Sequence, residues 1–397
     1  MSGSISTLRP SGMPAGYPAE IDANVKIRWV DNLLINMKEM STDLLKYLGG
    51  PAQFQFSNTK CEWVEDDGWN RRLSHGGLVA AGTTALVVTG TAHRYPVGTL
   101  LYHVTDGEVC RVTAIADANT LTIARDVPGA VAEGAWGATD EVLVGGSAMA
   151  EDAAWTFSPG GIFTLPYNYA QVMSEAIHVT FARMETALYG LQGSDLDYLA
   201  ANVVARKFVE MEEGLVTGQR FEGATAARPS LFGGLEFYIT AANGAQVSAL
   251  GGAALARKDF DDMLQNLFYT VGPEKMARTC IVPGWGKRKV SSWFSAAERL
   301  GPGTGQTAGV TIDRINTDFG VIEFLLHTSI AKNEIFLLNK EMIKMGHFGA
   351  LGRPHLIVPA GVSTTGPYVE RFYYAMLSAM VKGVEGMGKI SGFSLTA

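Results

Sequence analysis

One periodic run constrains the fold more than any other feature: SDLDYLAANVVARKFVEMEEGL, residues 194–215. Leu196, Leu199, Val203, Phe208, Met211 and Leu215 recur at helical spacing along one face. Arg206, Lys207, Glu210, Glu212 and Glu213 line the other, the pattern of an amphipathic helix with an acidic outer side. Ser194 with Asp197 three residues on has the form of a capping box. The run ends through Gly214, Gly218 and Gly223, and a polar loop leads to Gly233-Gly234 and the apolar LEFYI. Glycine disfavours helix by ~1 kcal/mol relative to alanine, so Gly214 and Gly218 are expected to loosen the last turn. Gly233 and Gly234 are expected to turn the chain into a strand. Such glycines suit either a ligand loop or a turn at a subunit contact.

The period changes on both sides of this helix. Residues 28–48 predict an amphipathic helix stopped by Gly49, Gly50 and Pro51. Residues 54–72 alternate apolar and polar and read as extended chain. Residues 78–148 hold short β-prone runs, with Thr105-Asp106-Gly107 between two of them and Asp117-Ala118-Asn119 as a second tight connection. Asp-Gly between alternating strands is a hairpin signal. No lysine lies between Lys60 and Lys207, which sets this stretch apart as an inserted all-β module. NYAQVMSEAIHVTFARMETALYGL, from 168, predicts a helix whose first half can also be extended. Further on, KDFDDMLQNLFYTVG and GKRKVSSWFSAAERLG predict helices, RTCIVP a buried strand, FGVIEFLLHT and EIFLLNKEMI linked strands, and residues 368–382 a long strand.

Composition excludes several classes. Of 397 residues, 47% are hydrophobic and 18% charged, below the ~25% charge of ordinary globular chains. With 46 glycines, this suits long loops and much subunit contact area. A net charge of −7 argues against a broad basic surface that coats nucleic acid. Cys61, Cys110 and Cys280 lie far apart, so neither a disulfide framework nor a zinc cluster is expected. The first residues resemble neither a signal peptide nor a membrane span, and no stretch reaches the ~18 apolar residues of one. They read as a flexible arm, in a protein of a cytoplasm-like compartment.

No catalytic set emerges. GPGTGQTAG, residues 301–309, lacks the lysine of a phosphate loop, and no HExxH or GxSxG occurs. His347 and His355 flank two glycines but have no third ligand nearby in sequence. Lys287-Arg288-Lys289 is the densest basic cluster, and at a helix start it opposes the macrodipole. Neither a cofactor nor a metal is expected.

The order of elements resembles the major capsid proteins of tailed bacteriophages, whose shell fold is of the Hong Kong ninety-seven type, or Johnson fold. NTLTIARDVPGAVAEGAWGATDEVLVGGSAMAED looks like the barrel-like insertion of some members, and ALYGLQGSDLDYLAANVVARKFVEMEEGLVTGQ like their spine helix and its approach. FGGLEFYI resembles the exit from that helix, and TDFGVIEFLLHTSIAKNEIFLLNKEMI the late hairpin. The resemblance implies an α+β fold. Its expected parts are an N-terminal arm (1–27), an N-terminal helix region (28–54), an extended loop (55–165) containing the β insertion (78–148), a peripheral domain with the spine helix (166–240), a mainly axial domain (241–350) and return strands (351–397).

The resemblance also implies a non-enzymatic shell protein that assembles with itself into hexamers and pentamers around double-stranded DNA, contacted non-specifically, in the virion. A portal protein, a separate scaffolding protein and a decoration protein are the partners it implies, with no membrane. Lys60 is the only lysine of the limb, so no covalent crosslinking is expected. Trp63, Trp69, Trp136 and Trp155 lie on a limb too thin to bury them, so interface anchoring is expected, with Arg71 and Arg72 adding ion pairs. Gly214, Gly218, Gly233 and Gly234 mark expected flexibility at the helix end. An encapsulin-like compartment, a cytoplasmic α/β enzyme with an accessory β domain and a monomeric binding module are the alternatives.

Overall fold

The computed structural model describes residues 42–395 apart from 67–70, 74, 89–91, 130, 132, 139, 150, 152–162, 186–194, 224, 226, 294–298, 301–312 and 363–365. The expected arm, the 28–48 helix before residue 42, Trp69, Trp155, Ser194 and the 301–309 loop lie outside the described residues.

The chain begins with α1 (Asp43–Leu48), β1 (Phe54–Phe56), β2 (Lys60–Glu62), β3 (Glu65–Asp66) and β4 (Arg72–Leu73). The insertion adds β5 (Ala85–Val87), β6 (Thr99–His103), β7 (Val109–Ile115), β8 (Thr120–Ala124) and β9 (Val142–Ser147). Next come β10 (Phe163–Thr164), β11 (Tyr167–Tyr169), β12 (Gln171–Thr180), α2 (Phe181–Glu185), α3 (Asp195–Thr217) and α4 (Leu235–Tyr238). Then follow β13 (Gln246–Ala249), α5 (Arg257–Val271), β14 (Thr279–Val282), α6 (Gly284–Trp293), β15 (Arg299–Leu300), β16 (Asp313–Thr317) and β17 (Gly320–Leu326). The chain closes with β18 (Glu334–Leu338), β19 (Ile343–Phe348), β20 (Leu356–Val362), β21 (Tyr368–Val381) and β22 (Gly388–Ser391).

Three cores follow from the sheets. A five-stranded sheet runs β1-β19-β21-β12, with β20 also on β21. The apolar stripe of α3 (Leu196, Ala200, Val203, Met211, Leu215) packs on Met173, Ile177, Tyr373, Ala375 and Leu377 of that sheet. A seven-stranded sheet runs β13-β22-β18-β14-β17-β16-β15. One of its faces meets α5 through Phe260, Leu264 and Leu267 and α6 through Val290. The insertion forms its own six-stranded sheet, β4-β9-β6-β7-β8-β5, around Leu101, Val112, Ile123 and Trp136. Two small antiparallel pairs, β2 with β11 and β3 with β10, carry the limb between them.

The β6–β7 turn is the Asp-Gly hairpin: Gly107 sits at φ 73 and its N–H donates to His103 O at 3.0 Å. The 194–215 helix, the α5 helix and the long β21 strand form where their periods place them. The Asp259 carboxylate caps α5 by accepting the Ala256 N–H at 2.9 Å.

Four expectations change. Residues 171–180 are a strand along their whole length, because Met173, Ile177 and Val179 alternate inward and β21 pairs with every residue; only Phe181–Glu185 is helical. LEFY after the glycine pair is the short helix α4, not a strand. β17 and β18 are not a hairpin, because β14 lies between them, parallel to one and antiparallel to the other. The two sheets also exchange strands relative to the expected boundaries: β19 joins the five-stranded sheet and β22 the seven-stranded one.

The helix-end glycines act by close approach. The Gly218 N–H donates to Gly214 O at 2.9 Å, and the Gly234 N–H donates to Gly218 O at 2.8 Å. A Cβ on Gly218 would stand 2.3 Å from Gly214 O and 2.6 Å from Phe232 O; one on Gly234 would stand 2.5 Å from Leu215 O. One on Gly214 would meet the Phe232 ring at 2.8 Å, and one on Gly233 the Arg220 Cβ at 3.0 Å. At this helix end backbone lies directly on backbone. Gly218→Ala and Gly234→Ala should each destabilise the chain by about 2 kcal/mol or more, the cost of overpacking against atoms that cannot move aside. Gly146→Ala, with nothing within 4 Å, should be near neutral. Chemical denaturation of the three variants checks this, and equal midpoints would remove the close-approach role.

Candidate assembly surfaces

Three of the residues expected at an interface, Trp63, Trp136 and Arg72, make contacts within the chain itself. Trp63 is 5% exposed; its ring meets that of Tyr238 at 6.0 Å and its Nε1–H donates to Glu65 Oε1 at 2.8 Å. Trp136 is fully buried in the insertion. The limb buries these indoles because its root folds back on α4 and its insertion has a core of its own. Arg72 forms an ion pair with Glu141, and its guanidinium lies 4.0 Å over the Tyr269 ring of α5. Arg71 is exposed, and its carbonyl accepts the Val144 N–H at 2.8 Å. Trp63, Trp136 and Arg72 are thus internal contacts of one copy, not free anchors. The free thiols Cys61, Cys110 and Cys280 are buried as well.

Two polar hubs escaped the sequence pattern. Asn168 is fully buried between the limb root, α4 and β21. Its Nδ2 donates to Gly233 O at 3.0 Å and Ala379 O at 2.7 Å; its Oδ1 accepts from Gly233 N at 2.7 Å and Tyr169 N at 2.9 Å. Both donors and both lone pairs are therefore used. Glu212, expected on the outer side of the helix, is 4% exposed. Its carboxylate accepts the Leu45 N–H at 2.8 Å and the His327 Nε2–H at 2.7 Å, while His327 Nδ1 accepts from Ser329 N at 3.1 Å. The Ser329 contact fixes the proton of the neutral ring on Nε2. An asparagine after a tyrosine and one glutamate among three carry no periodic signal, so only the tertiary contacts reveal them.

One broad surface is only partly covered by the described residues. α3 covers one face of the five-stranded sheet. On the other, Phe372 stands opposite Ala176 on β12 and Val358 on β20, and Val172 stands opposite Met376. Phe56, Cys61, Phe348 and Leu351 cover one end of this face. Beyond them Val172 is 50% exposed, Phe372 43% and Val358 38%. A cavity of about 820 Å³ also opens at the limb root, walled by Glu65, Tyr167, Arg220, Phe237, Lys275 and Lys382. Among the described residues, no three His, Cys, Asp or Glu side chains converge as metal ligands, and no helix is long and apolar enough to cross a membrane.

The architecture has known counterparts. The family model described as SU10 major capsid protein matches residues 18–394. The chain belongs to the SU10 major capsid protein family. The comparison with curated proteins gave no match. The fold is similar to that in the capsid of a native GTA particle, at 10% identity and a TM-score of 0.52, over 96% of this chain and 100% of that one. It is similar also to the capsid of cyanophage A-1(L), at 12% identity and a TM-score of 0.50, over 91% of this chain and 96% of that one. A member of this family builds the virion shell, and its surfaces are to be judged as shell contacts.

Within this capsid protein the insertion is electrostatically self-contained. The fully buried Glu108 carboxylate accepts Arg125 Nε at 2.8 Å, Arg125 Nη2 at 2.5 Å, Trp136 Nε1 at 3.0 Å and Asp126 N at 3.2 Å. Arg125 also donates to Ala80 O at 3.2 Å and Gly134 O at 2.6 Å. The His103 ring stacks on Trp136 at 4.7 Å and its Nε2 lies 3.1 Å from Asp140 Oδ2. Burial alone pushes the Glu108 carboxyl up, but the Arg125 and Trp136 donors outweigh it and hold it at about 2. Burial, then the Glu108 charge, push the Cys110 thiol up to about 12, so it stays protonated.

A carboxyl depressed from 4.5 to about 2 stabilises the fold fully above pH 4.5 and loses that contribution as pH falls toward 2. The contribution is roughly 3 kcal/mol at 1.36 kcal/mol per unit. Glu108→Gln should lower the melting temperature at pH 7 and flatten its fall between pH 4.5 and 2. Melts followed by tryptophan fluorescence across that range check it; parallel curves for the two chains would remove Glu108 as the cause.

Proposed function

We propose that copies of the chain assemble as hexamers and pentamers into an icosahedral shell enclosing double-stranded DNA, with the limb of each copy lying over a neighbour. The open face of the five-stranded sheet carries this reading. A sheet needs cover on both apolar faces, and Val172, Phe372 and Val358 are only about half covered within their own copy. Contiguous exposed apolar surface of this kind marks a protein contact. The same face is already covered at one end by residues at the limb root, Phe56 and Cys61. A neighbour's limb would extend that cover. Given the net charge of −7, contact with the packaged DNA would be local and non-specific. A separate scaffolding protein, a portal protein and a decoration protein complete the proposed set of partners.

The face gives a direct test. Val172→Ser with Phe372→Ser should leave the thermal melt of the single copy nearly unchanged, since both side chains are already about half in water. Assembly should fall at least tenfold, measured by sedimentation and negative-stain electron microscopy. Shells formed at the parental yield would reject this face as a contact.

A further inference from the structure

α5 and α6 pack on the same face of the seven-stranded sheet, α5 over β13 and β22, α6 over β14 and β17. Their inner sides merge in one core. α6 carries cations only, whereas α5 carries Asp259, Asp261 and Asp262 with Arg257 and Lys258. α6 holds Lys287, Arg288 and Lys289 and has no acidic residue in its first turn. The Lys287 ammonium sits 4.8 Å over the Phe324 ring. Arg288 is exposed and Lys289 half-buried, and neither forms an ion pair among the described residues. Cations near a helix N-terminus oppose the macrodipole, so this end of α6 is strongly positive.

α5 carries Asp261 and Asp262 beside each other. Asp261 pairs with Arg257 at 3.2 Å. Asp262 is exposed and forms no ion pair among the described residues, not even with Lys258 four residues before it. Burial pushes the Asp261 carboxyl up, and the charges of Asp318 and Asp262 push it the same way against the Arg257 pair. Inside the copy, Arg288 and Lys289 on α6 and Asp262 on α5 therefore form no ion pair among the described residues, and Asp261 has Arg257 alone.

We propose that Arg288 and Lys289 on α6 of one copy dock against Asp261 and Asp262 on α5 of a second copy. This contact rests on the shell reading above. It joins unlike surfaces, since α5 lies at the β13 edge of the sheet and α6 further toward the other edge. Such a head-to-tail contact closes into a ring when the rotation between copies divides a full turn. Complementary charge at the contact steers encounter and rejects misaligned copies, because like charges then face each other.

Charge exchange tests it. Four chains are compared by sedimentation velocity and electron microscopy at one concentration and low salt: the parent, Arg288→Glu/Lys289→Glu, Asp261→Lys/Asp262→Lys, and the combination of all four. The parent should assemble, each reversal alone should give at least tenfold less assembled material, and the combination should recover most of it. Asp262→Lys alone leaves the Arg257 pair intact and should lower assembly in the same direction. Either reversal assembling like the parent overturns the contact. So does a combined chain that melts like the parent yet stays unassembled. A parent that stays monomeric under every condition overturns the shell reading itself, and the contact with it.

Discussion

The centre of this subunit is set by a place where backbone touches backbone and no side chain fits. The end of α3 and the start of α4 meet through Gly214, Gly218 and Gly234, with a Cβ at Gly234 barred by the Leu215 carbonyl at 2.5 Å. Everything attached to α4 inherits that position. Asn168 holds the limb root to Gly233 on one side and to Ala379 of β21 on the other. Tyr238, on α4, donates its O–H to Tyr167 O at 2.7 Å and supports the Trp63 ring. The direction in which the limb leaves the body is thus fixed by contacts that tolerate almost no displacement.

A second tie joins the two sheets. α1 is only six residues long, too short to be stable alone, yet Leu44, Leu45, Tyr47 and Leu48 are all buried. Its backbone reaches Glu212 on α3, and the Tyr47 hydroxyl donates to Glu323 on β17 at 2.5 Å and lies 2.8 Å from Thr279 on β14. Burial, then the bond to Glu323, push that hydroxyl's pKa up, so it remains a donor. Removing one partner from such a buried network leaves a charge or a donor without compensation, which costs far more than the net worth of the bond. α1 therefore couples the seven-stranded sheet to the spine helix, from within the expected N-terminal helix region.

Much of this was legible in the sequence, and the failures share a cause. The α3, α5 and β21 periods, the Asp-Gly hairpin and the lysine-free insertion are local signals, and local physics decides them. Residues 171–180 misled because an alternating strand of small and polar residues with Ala176 and Met173 also satisfies a loose helical spacing. Pairing with β21 decides for the strand, and that partner lies about two hundred positions away in the chain. Trp63 and Trp136 are buried, and extended sequence announces neither the folding back of Trp63 onto α4 nor the core the insertion builds around Trp136. At the glycines composition signals conformational freedom, and tertiary structure also uses the missing Cβ. Glu212 and Asn168 carry no periodic mark at all, since polar residues earn their place through partners distant in the chain.

Internal burial of Trp63 and Trp136 changes what kind of contact a copy can offer to another. With these two aromatics buried, the described surface still offers a partly covered apolar sheet face and, on α6 and α5, a cationic cluster and a pair of aspartates. These two surfaces obey different physics. Apolar burial is insensitive to simple salt at moderate concentration, whereas exposed charge is screened over ~10 Å at 0.1 M. A shell that used both would hold its copies together by the sheet face and set their register by the helices. Raising salt would then loosen the choice of partner geometry before it loosened attachment, so that irregular assemblies, rather than free copies, would be the first product of screening.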